Sequence, residues 1–229
     1  MSTYSDYNVT VVTPWRQHAA DVMRYEQLMA ALDYDQERLR FVFVENDSTD
    51  GTYELLVSWA DIDDRISLHK RDTGGPLYPS IVNAHRFEIM GTVFNWALDE
   101  VDYEWTDYVL FMPCDIVFPP DLLRRLLAHR APVVAPFVFQ SGVFYDIWAF
   151  SRNGHNFLPF AEGSTGQLFG DRIIEMETLG GVTLIDADVL RAGVRYSPIN
   201  VDRGLCEAAR AKGFTVWADP TLHVYHGVR

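Results

Sequence analysis

Cysteine is scarce in this sequence, which excludes two common ways of stabilising a small fold. Cys114 and Cys206 are the only cysteines among 229 residues, too few for a disulfide framework or a zinc site built from paired cysteines. Proteins without structural disulfides are typical of reducing compartments, so we expect a cytoplasmic protein. With 48% hydrophobic and 14% aromatic residues, the chain has enough apolar side chains for a core of its own.

Basic residues and long apolar runs are also lacking. Lysine and arginine number 19 against 32 aspartates and glutamates, for a formal net charge of −13. This balance argues against broad binding to nucleic acid or anionic membranes, although it is compatible with a local basic groove. No apolar stretch approaches the ~20 residues that a transmembrane helix needs. We therefore expect a soluble protein without a membrane partner.

The beginning of the chain alternates predicted strands with predicted helices. Strands are predicted at Tyr7–Thr13, Leu39–Glu45 and Ile66–His69, where β-branched, aromatic and other apolar residues concentrate. Apolar residues at helical spacing predict one helix over Arg16–Leu32 and a second that ends near Ala60. This order predicts an α/β fold whose first half is parallel, right-handed and Rossmann-like.

The stretch from Asp107 to Pro120 is predicted to be a buried strand that ends in an acidic corner. Val109–Met112 is a continuous apolar run, typical of a strand covered on both faces. Asp115 is the first acidic side chain after this run, and two prolines then open a helix over Asp121–His129. Ligands of open α/β sheets bind at the carboxyl ends of strands. Asp115 is therefore either a ligand-binding residue or only the cap of the next turn.

The remainder of the chain is predicted to extend the same sheet. Gly213 is expected to end a helix over Asp202–Lys212. Asn156–Arg172 is predicted to be a long loop that could form a lid, and Pro220–His226 a tail. Three further strands are predicted, at Val133–Phe139, Thr178–Ile185 and Phe214–Ala218.

Polar residues follow the ends of three predicted strands, at Thr13, Glu45–Asp50 and Asp115. Because the carboxyl ends of neighbouring parallel strands meet at one edge of a sheet, we expect these residues to share a crevice. The segment after Glu45 is also a good helix start, with Asp47 or Ser48 as the capping residue, so both interpretations stay open. The absence of a Gly-x-Gly-x-x-Gly motif after the first strand argues against a dinucleotide-binding enzyme.

Segments in the same order along the chain resemble the glycosyltransferases of the GT-A fold. Val44–Thr52 is similar to their nucleotide-binding turn, including that of the large family 2. Phe87–Pro120 is closer to the central block of the fungal mannan-polymerase and capsule-associated mannosyltransferases. Glu177–Val182 resembles their Gly-Gly acceptor-side segment, and Gly204–Gly213 with Val216–His226 resembles their closing helix, strand and late histidine.

This resemblance implies a single GT-A domain over residues 1–229, with a nucleotide-binding half at 1–120 and an acceptor-side half at 121–229. It implies a transferase that moves a hexose or N-acetylhexosamine from a UDP- or GDP-sugar to a hydroxyl acceptor. A divalent cation, Mn²⁺ or Mg²⁺, is expected as cofactor because it neutralises the leaving diphosphate. The acceptor is expected to be a glycan or, as a lesser possibility, a hydroxymethylated pyrimidine in DNA.

The metal-binding motif of these families departs from its usual form here. Their Asp-x-Asp motif corresponds to Pro113-Cys114-Asp115, and a proline cannot ligate a cation. The resemblance therefore leaves Asp115 and His226 as the expected metal ligands, with a surface histidine in a frayed tail as the alternative for His226. Pro113 also keeps a second interpretation open, a degenerate GT-A module that binds a nucleotide or sugar without turnover.

The resemblance also assigns roles to residues that would bind the nucleotide. Thr13, Pro14, Glu45 and Asp47 are expected at the nucleotide, and Arg86 at the diphosphate, because a guanidinium fork matches phosphate oxygens.

Two further aspartates are expected at the sugar and the acceptor. Asp202 is expected to accept the proton of the acceptor hydroxyl, or else only to cap the helix that follows it. Asp146 lies among aromatic residues and is expected to contact a sugar, with a buried, hydrogen-bonded aspartate as the alternative.

Overall fold

The computed structural model describes residues 6–78 and 83–227. Ten of its strands form one sheet, in which eight follow the order β10-β12-β6-β11-β4-β1-β2-β3, while β5 pairs with β12 and β7 with β6. A separate hairpin joins β8 and β9. The strands are β1 (Val9–Trp15), β2 (Leu39–Glu45), β3 (Ile66–Lys70), β4 (Tyr108–Phe111), β5 (Ile116–Val117), β6 (Val133–Gln140), β7 (Val143–Phe144), β8 (Ser151–Arg152), β9 (His155–Asn156), β10 (Ile174–Met176), β11 (Thr183–Asp186) and β12 (Val216–His226).

Helices cover both faces of the sheet, and the expected α/β fold is confirmed. The residues buried with α3, α6 and α7 form the core of one face, and those buried with α1, α2 and α4 form the core of the other. None of the helices in the described ranges is long and apolar enough to cross a bilayer. The helices are α1 (Val22–Ala30), α2 (Thr52–Ala60), α3 (Ala84–Asp99), α4 (Leu122–Ala128), α5 (Thr165–Phe169), α6 (Ala187–Arg191) and α7 (Asp202–Ala211).

Continuous apolar strands build the first half of the sheet because both of its faces are covered. Val11 and Phe41 belong to the core of one face, whereas Val12 and Val42, their neighbours in sequence, belong to the core of the other. Successive side chains of a strand point to opposite faces, so a strand with two covered faces has no polar side to alternate with. β1 pairs in parallel with β2 and β4, and β2 with β3, as expected.

The second half of the sheet is mixed rather than parallel. β11 runs antiparallel between β4 and β6. It begins at Thr183 rather than at the expected Thr178, because Gly181 has a φ of +69° that turns the chain before the strand starts. The expected loop over Asn156–Arg172 contains the short helix α5.

The prediction of a tail at Pro220–His226 is wrong, because β12 continues through this segment to its end. β12 pairs with β6 on both sides of a register shift between Asp219 and His223. Proline cannot donate to a strand ladder and is tolerated at bulges, and Pro220 lies within this irregularity. Beyond it, β12 pairs antiparallel with β5, so that His226 lies opposite Ile116.

Candidate active site

The carboxyl ends of β1 and β2 form a crevice with two nearby loops. We call residues 13–17, 45–52 and 72–75 the strand-end crevice. Trp15 is paired with Glu45 at the end of the two strands, and the Asn46 amide donates to the Trp15 carbonyl at 3.1 Å. This pairing brings the ends of β1 and β2 together, whereas Asp115, which was expected in the same crevice, belongs to the second group described below.

Asp47 organises the strand-end crevice through backbone hydrogen bonds. Its carboxylate accepts from the Thr73 amide at 3.1 Å and the Gly74 amide at 2.9 Å, and its own amide donates to Asp72 at 2.9 Å. Burial raises the pKa of Asp47, but the hydrogen bonds from Thr73 and Gly74 outweigh it, so that the pKa lies below its ordinary value. Asp47 does not cap α2, since the side chain that accepts from the Thr52 amide, at 3.1 Å, belongs to Asp50.

Glu45 is fully buried at the base of this crevice with half of its hydrogen-bonding capacity unused. Its Oε1 accepts from the Ser48 amide at 2.8 Å. Its Oε2 is buried and accepts no hydrogen bond within the described residues, with the Lys70 ammonium 3.9 Å away. An unsatisfied buried acceptor costs free energy, and the nearby Lys70 charge offsets part of that cost.

The residues at the end of β1 differ in what they offer to a ligand. Thr13 is fully buried, and its hydroxyl is hydrogen-bonded to Tyr25 at 2.5 Å, so this hydroxyl is not free for a nucleotide. Pro14 is only partly buried beside it. Arg16 was missed by the sequence analysis; its guanidinium donates to the Gly75 carbonyl and lies 3.9 Å from the Asp47 carboxylate.

A second group of polar residues, which we call the carboxyl cluster, consists of Asp115, Asp146, Asp202 and His226. The end of β12 brings His226 beside Asp115, with 3.1 Å between His226 Nε2 and Asp115 Oδ2. Burial raises the pKa of Asp115, but the hydrogen bond and electrostatic attraction of His226 outweigh it, so that the pKa lies below its ordinary value. His226 is therefore held in a strand and not in a frayed tail.

Tyr145 supports this pair from one side. Its ring stacks on the imidazole of His226, with centroids 4.1 Å apart and planes 13° from parallel. Burial raises the pKa of Tyr145, the charges of Asp146 and Asp115 raise it further, and the charge of Arg86 opposes them. Arg86, at the start of α3, is thus electrostatically coupled to the carboxyl cluster. The sequence signal for Tyr145 was its position next to Asp146.

Asp146 and Asp202 are placed by two glycines that leave room for them. A Cβ on Gly180 would lie 3.0 Å from Asp202 Cβ, and a Cβ on Gly181 would lie 3.3 Å from Asp146 Oδ2. Burial raises the pKa of Asp146 to about 6. Burial and the charge of Asp146 raise the pKa of Asp202 to about 8. Asp202 is the first residue of α7, and Val201 holds the N-cap position, so that Asp202 is not the cap.

An exposed aromatic side chain borders the carboxyl cluster. Trp148 is 45% exposed and stacks on Phe87 with a centroid separation of 5.9 Å. Arg203, which follows Asp202, donates to the Trp148 carbonyl at 3.4 Å. Aromatic faces pack on the C–H groups of ligands, so this surface is suited to a ring-shaped ligand beside the carboxylates.

Asp115 and His226 have the donor atoms and spacing for two ligands of one divalent cation. Two ligand atoms about 2.1 Å from an octahedral cation and at right angles to each other lie roughly 3.0 Å apart, close to the observed 3.1 Å. Nδ1 of His226 is buried and has no hydrogen-bond partner in the part of the chain that the structure describes. Within that same part, no group of three His, Cys, Asp or Glu residues is arranged to hold a metal ion.

A protein-family model matches the residues that form most of the sheet and part of the carboxyl cluster. Residues 7–155 match the model of the glycosyltransferase family 25 N-terminal domain. A procollagen galactosyltransferase 1-A from Xenopus laevis is 26% identical over 137 residues, covering 53% of this chain and 22% of the relative. A glycosyltransferase 25 family member from Drosophila pseudoobscura pseudoobscura is 24% identical over 166 residues, covering 63% and 25%. The chain thus spans about a quarter or less of the length of these relatives.

Solved structures with the same fold confirm the GT-A prediction. A mannosyltransferase from Pyrobaculum calidifontis in complex with GDP-Man and Mn²⁺ superposes with a TM-score of 0.64 at 14% identity, covering 97% of this chain and 57% of that one. TarS from S. aureus in complex with UDP-GlcNAc superposes with a TM-score of 0.61 at 14% identity, covering 97% and 56%. The mixed α/β fold described above is the GT-A fold.

Proposed function

The chain belongs to glycosyltransferase family 25, and we propose that it transfers a sugar from a nucleoside diphosphate sugar to a hydroxyl acceptor. The observation that carries the proposal is the Asp115–His226 pair beside two carboxyl groups with raised pKa values, Asp146 and Asp202. Transfer at an anomeric carbon requires stabilisation of the leaving diphosphate and a group that accepts a proton. The carboxyl cluster has residues suited to both tasks.

The strand-end crevice is the proposed site of the nucleotide. Glu45, a fully buried carboxylate, would support the nucleotide site from beneath, and Asp47 holds the crevice loops in shape. Pro14 would form part of the wall, with Thr13 as a buried support behind it. Arg86 would bind the diphosphate, because its guanidinium can form two parallel hydrogen bonds to phosphate oxygens.

Asp115 and His226 would hold the divalent cation of the reaction. Such a cation supplies positive charge that stabilises the leaving diphosphate. A carboxylate together with an imidazole suits Mn²⁺ better than Mg²⁺, which prefers oxygen ligands. The Mn²⁺ in the Pyrobaculum calidifontis complex supports this assignment by analogy of fold.

Asp146 and Asp202 would accept and hold the proton of the acceptor hydroxyl. Their pKa values of about 6 and about 8 lie on either side of neutrality, so that the coupled pair holds one proton near pH 7. One carboxylate of the pair is then free to act as a base. In a direct displacement, the acceptor oxygen bonds to the anomeric carbon, the bond to the diphosphate breaks, and the hydroxyl proton passes to this carboxylate.

The similar proteins indicate which nucleotide-sugar donors to test first. The procollagen galactosyltransferase relatives favour a hexosyl donor such as UDP-galactose. GDP-Man and UDP-GlcNAc bind to proteins of the same fold, so a mannosyl or N-acetylglucosaminyl donor is the next choice. We propose a glycan or another hydroxyl-bearing molecule as acceptor. The net charge of −13 disfavours DNA as acceptor, and the cytoplasmic location stays a prediction.

The first experiment is a thermal-shift and calorimetric screen of UDP, GDP, CMP and their sugars, with and without Mn²⁺. A ligand at 100 times its dissociation constant stabilises a protein by about 2.7 kcal/mol, a shift of a few degrees in Tm. We expect one nucleotide to give a shift that increases with Mn²⁺. Asp115→Ala should abolish the metal-dependent part, whereas Asp64→Ala, an exposed aspartate outside both regions, should leave it unchanged.

Two outcomes would separate the transferase from its alternative. A degenerate module that binds without turnover is favoured by Pro113, which removes one ligand of the usual metal motif. Slow hydrolysis of the preferred nucleotide sugar in the presence of Mn²⁺ is expected of a transferase and not of such a module. Binding without hydrolysis or transfer would support the module, and no shift with any nucleotide in a folded protein would refute both.

A further inference from the structure

A cavity of about 450 Å³ is lined by residues other than those of the carboxyl cluster. Side chains alternate along a strand, so His223 and Tyr225 share one face of β12, whereas His226 points to the opposite face. The size is within the range of small-molecule sites. We call this cavity the β12 pocket. It is lined by Glu162, Thr165, Gly166, Gly170, Asp171, Pro220, Thr221 and His223.

Glu162 is held in the β12 pocket by two hydrogen bonds to the same oxygen. Its Oε1 accepts from the Tyr225 hydroxyl at 2.7 Å and contacts His223 Nδ1 at 3.0 Å. Within the described residues, no hydrogen bond is made by its Oε2, which is not sealed from solvent. The hydrogen bond from Tyr225 lowers the pKa of Glu162 more than burial raises it, and His223 lowers it further. A fixed, ionised carboxylate with one free oxygen is an acceptor prepared for a ligand.

The lining of the β12 pocket selects the chemistry of its ligand. It contains no lysine or arginine, which disfavours phosphate, carboxylate and other anions. Glu162 and Asp171 can accept hydrogen bonds, and two glycines leave the backbone accessible. The Thr221 hydroxyl already donates to Asp219 and accepts from Arg125. Pro220 adds apolar C–H surface. Hydrogen-bond acceptors beside small apolar groups match a molecule with several hydroxyl groups on a carbon ring.

We propose that the β12 pocket binds a saccharide unit of the acceptor, with Glu162 Oε2 accepting from a sugar hydroxyl. This proposal rests on the proposed function and adds a subsite remote from the reacting hydroxyl. His223 lies three residues before His226, which corresponds to about 10 Å along an extended strand. The acceptor is therefore a saccharide chain or glycoconjugate long enough to extend from the carboxyl cluster to this pocket.

The test is an NMR titration of the whole chain with the methyl glycosides of galactose, glucose, mannose and N-acetylglucosamine. We expect saturable shifts at the pocket residues with at least one glycoside. Glu162→Gln removes the charge of the acceptor at constant size and should weaken binding about tenfold, as expected for a hydrogen bond to a charged group. Glu175→Gln, at an exposed position of the neighbouring β10, is the matched control and should not change it.

Further variants and conditions keep the test decisive. Asp171→Asn changes an exposed residue of the pocket lining and should also weaken saccharide binding. It therefore provides a second test if Glu162→Gln does not fold. Affinity for a neutral saccharide should be the same at low and high salt, whereas that for an ammonium ligand would fall with salt. Absence of saturable binding, an equal loss in Glu175→Gln, or strong salt dependence would overturn the proposal.

The failure of this subsite is distinguishable from failure of the proposed function. Binding and hydrolysis of the nucleotide sugar involve the strand-end crevice and the carboxyl cluster, so they should be unchanged in Glu162→Gln. Saccharide binding at the β12 pocket without any nucleotide binding would refute the transferase and leave a carbohydrate site. Nucleotide-sugar hydrolysis without saccharide binding would refute the subsite alone.

Discussion

The strand-end crevice and the carboxyl cluster both contain several acidic residues. Two of the residues in the crevice have pKa shifts opposite in direction to those of two residues in the cluster. In the crevice, Asp47 and Asp50 accept backbone hydrogen bonds, and their pKa values lie below the ordinary value. In the cluster, burial raises the pKa values of Asp146 and Asp202 to about 6 and about 8. Carboxylates that accept hydrogen bonds from backbone amides hold a loop in shape. Buried carboxyl groups with few hydrogen-bond donors around them remain able to interact with a ligand.

On the basis of this difference we propose that Asp47 has a structural role and that Asp202 takes part in the chemistry. Asp47 already has its partners in the free protein, so its main effect is to present the crevice to a ligand. Asp202 has a pKa raised to about 8 by burial and by the charge of Asp146, and it lies against Gly180. Asp115 is intermediate, since its carboxylate is paired with His226 and would exchange this partner for a shared cation.

The largest effect is expected from Asp202→Asn, which removes one of the two titrating carboxyl groups of the coupled pair and keeps its shape. Transfer should slow by about 10²- to 10⁴-fold, the usual contribution of general acid–base catalysis, while the affinity for the nucleotide stays the same. Steady-state kinetics and calorimetry measure the two quantities. Asp188→Asn, at an exposed position in the first turn of α6, is the control. Full activity of Asp202→Asn would assign Asp202 to structure, as for Asp47.

A smaller effect is expected from Gly180→Ala, which adds one methyl group beneath Asp202. This Cβ would lie 2.7 Å from Ala149 Cβ and 3.0 Å from Asp202 Cβ, so one of them must move. Overpacking of this kind costs about 1–3 kcal/mol, and the displaced carboxyl should also slow transfer. Gly163→Ala has no atom within 4 Å of the added group and serves as control in urea unfolding and rate measurements. Equal behaviour of the two variants would refute the positioning role of Gly180.

A third effect is expected in the pH dependence of stability. Asp146 and Asp202 have raised pKa values in the folded protein, so the folded state keeps protons that the unfolded state releases. The free energy of unfolding should therefore fall as pH rises from about 4 to about 8. The lowered pKa values of Asp47, Asp50 and Asp115 act in the opposite direction, giving stability that is lost as pH falls below about 4.

Urea unfolding at several pH values isolates the contribution of Asp202. Between about pH 5 and about pH 8, the free energy of unfolding of Asp202→Asn should decrease less than that of the original protein, because one of the two titrating groups is absent. All histidines are common to both proteins, so their titration cancels in the difference. Parallel stability curves would mean that Asp202 has an ordinary pKa and that the contrast between the two regions is incorrect.

Most of the first half of the fold was predictable because its signals are local. Leu39–Glu45 is a strand with the bounds that its apolar run indicates. A strand flanked by polar turns and amphipathic helices needs no distant information to be recognised. The second half was harder, because β12 passes through Pro220 at a register shift that depends on its pairing with β6. No local rule distinguishes this bulge from the end of a strand.

The residues of the candidate site also differ in how far they were predictable from the sequence. Asp115 was predictable as a carboxylate at the end of a buried strand, and Asp146 and Asp202 were expected through resemblance. Their separate contacts with Gly180 and Gly181 were not predictable, because they join residues more than twenty positions apart. Arg16 was missed because a single arginine after a strand has no distinctive pattern.

The order of apolar runs and polar turns was sufficient to establish an α/β protein with acidic residues at its strand ends, because side-chain periodicity and turn chemistry act over a few residues. The assembly of those ends depended on pairing across the sheet. β12 carries His226 to Asp115, and burial sets the pKa values of Asp146 and Asp202. Desolvation and pairing arise from the surroundings of a group in three dimensions, which the order of residues along the chain does not specify locally.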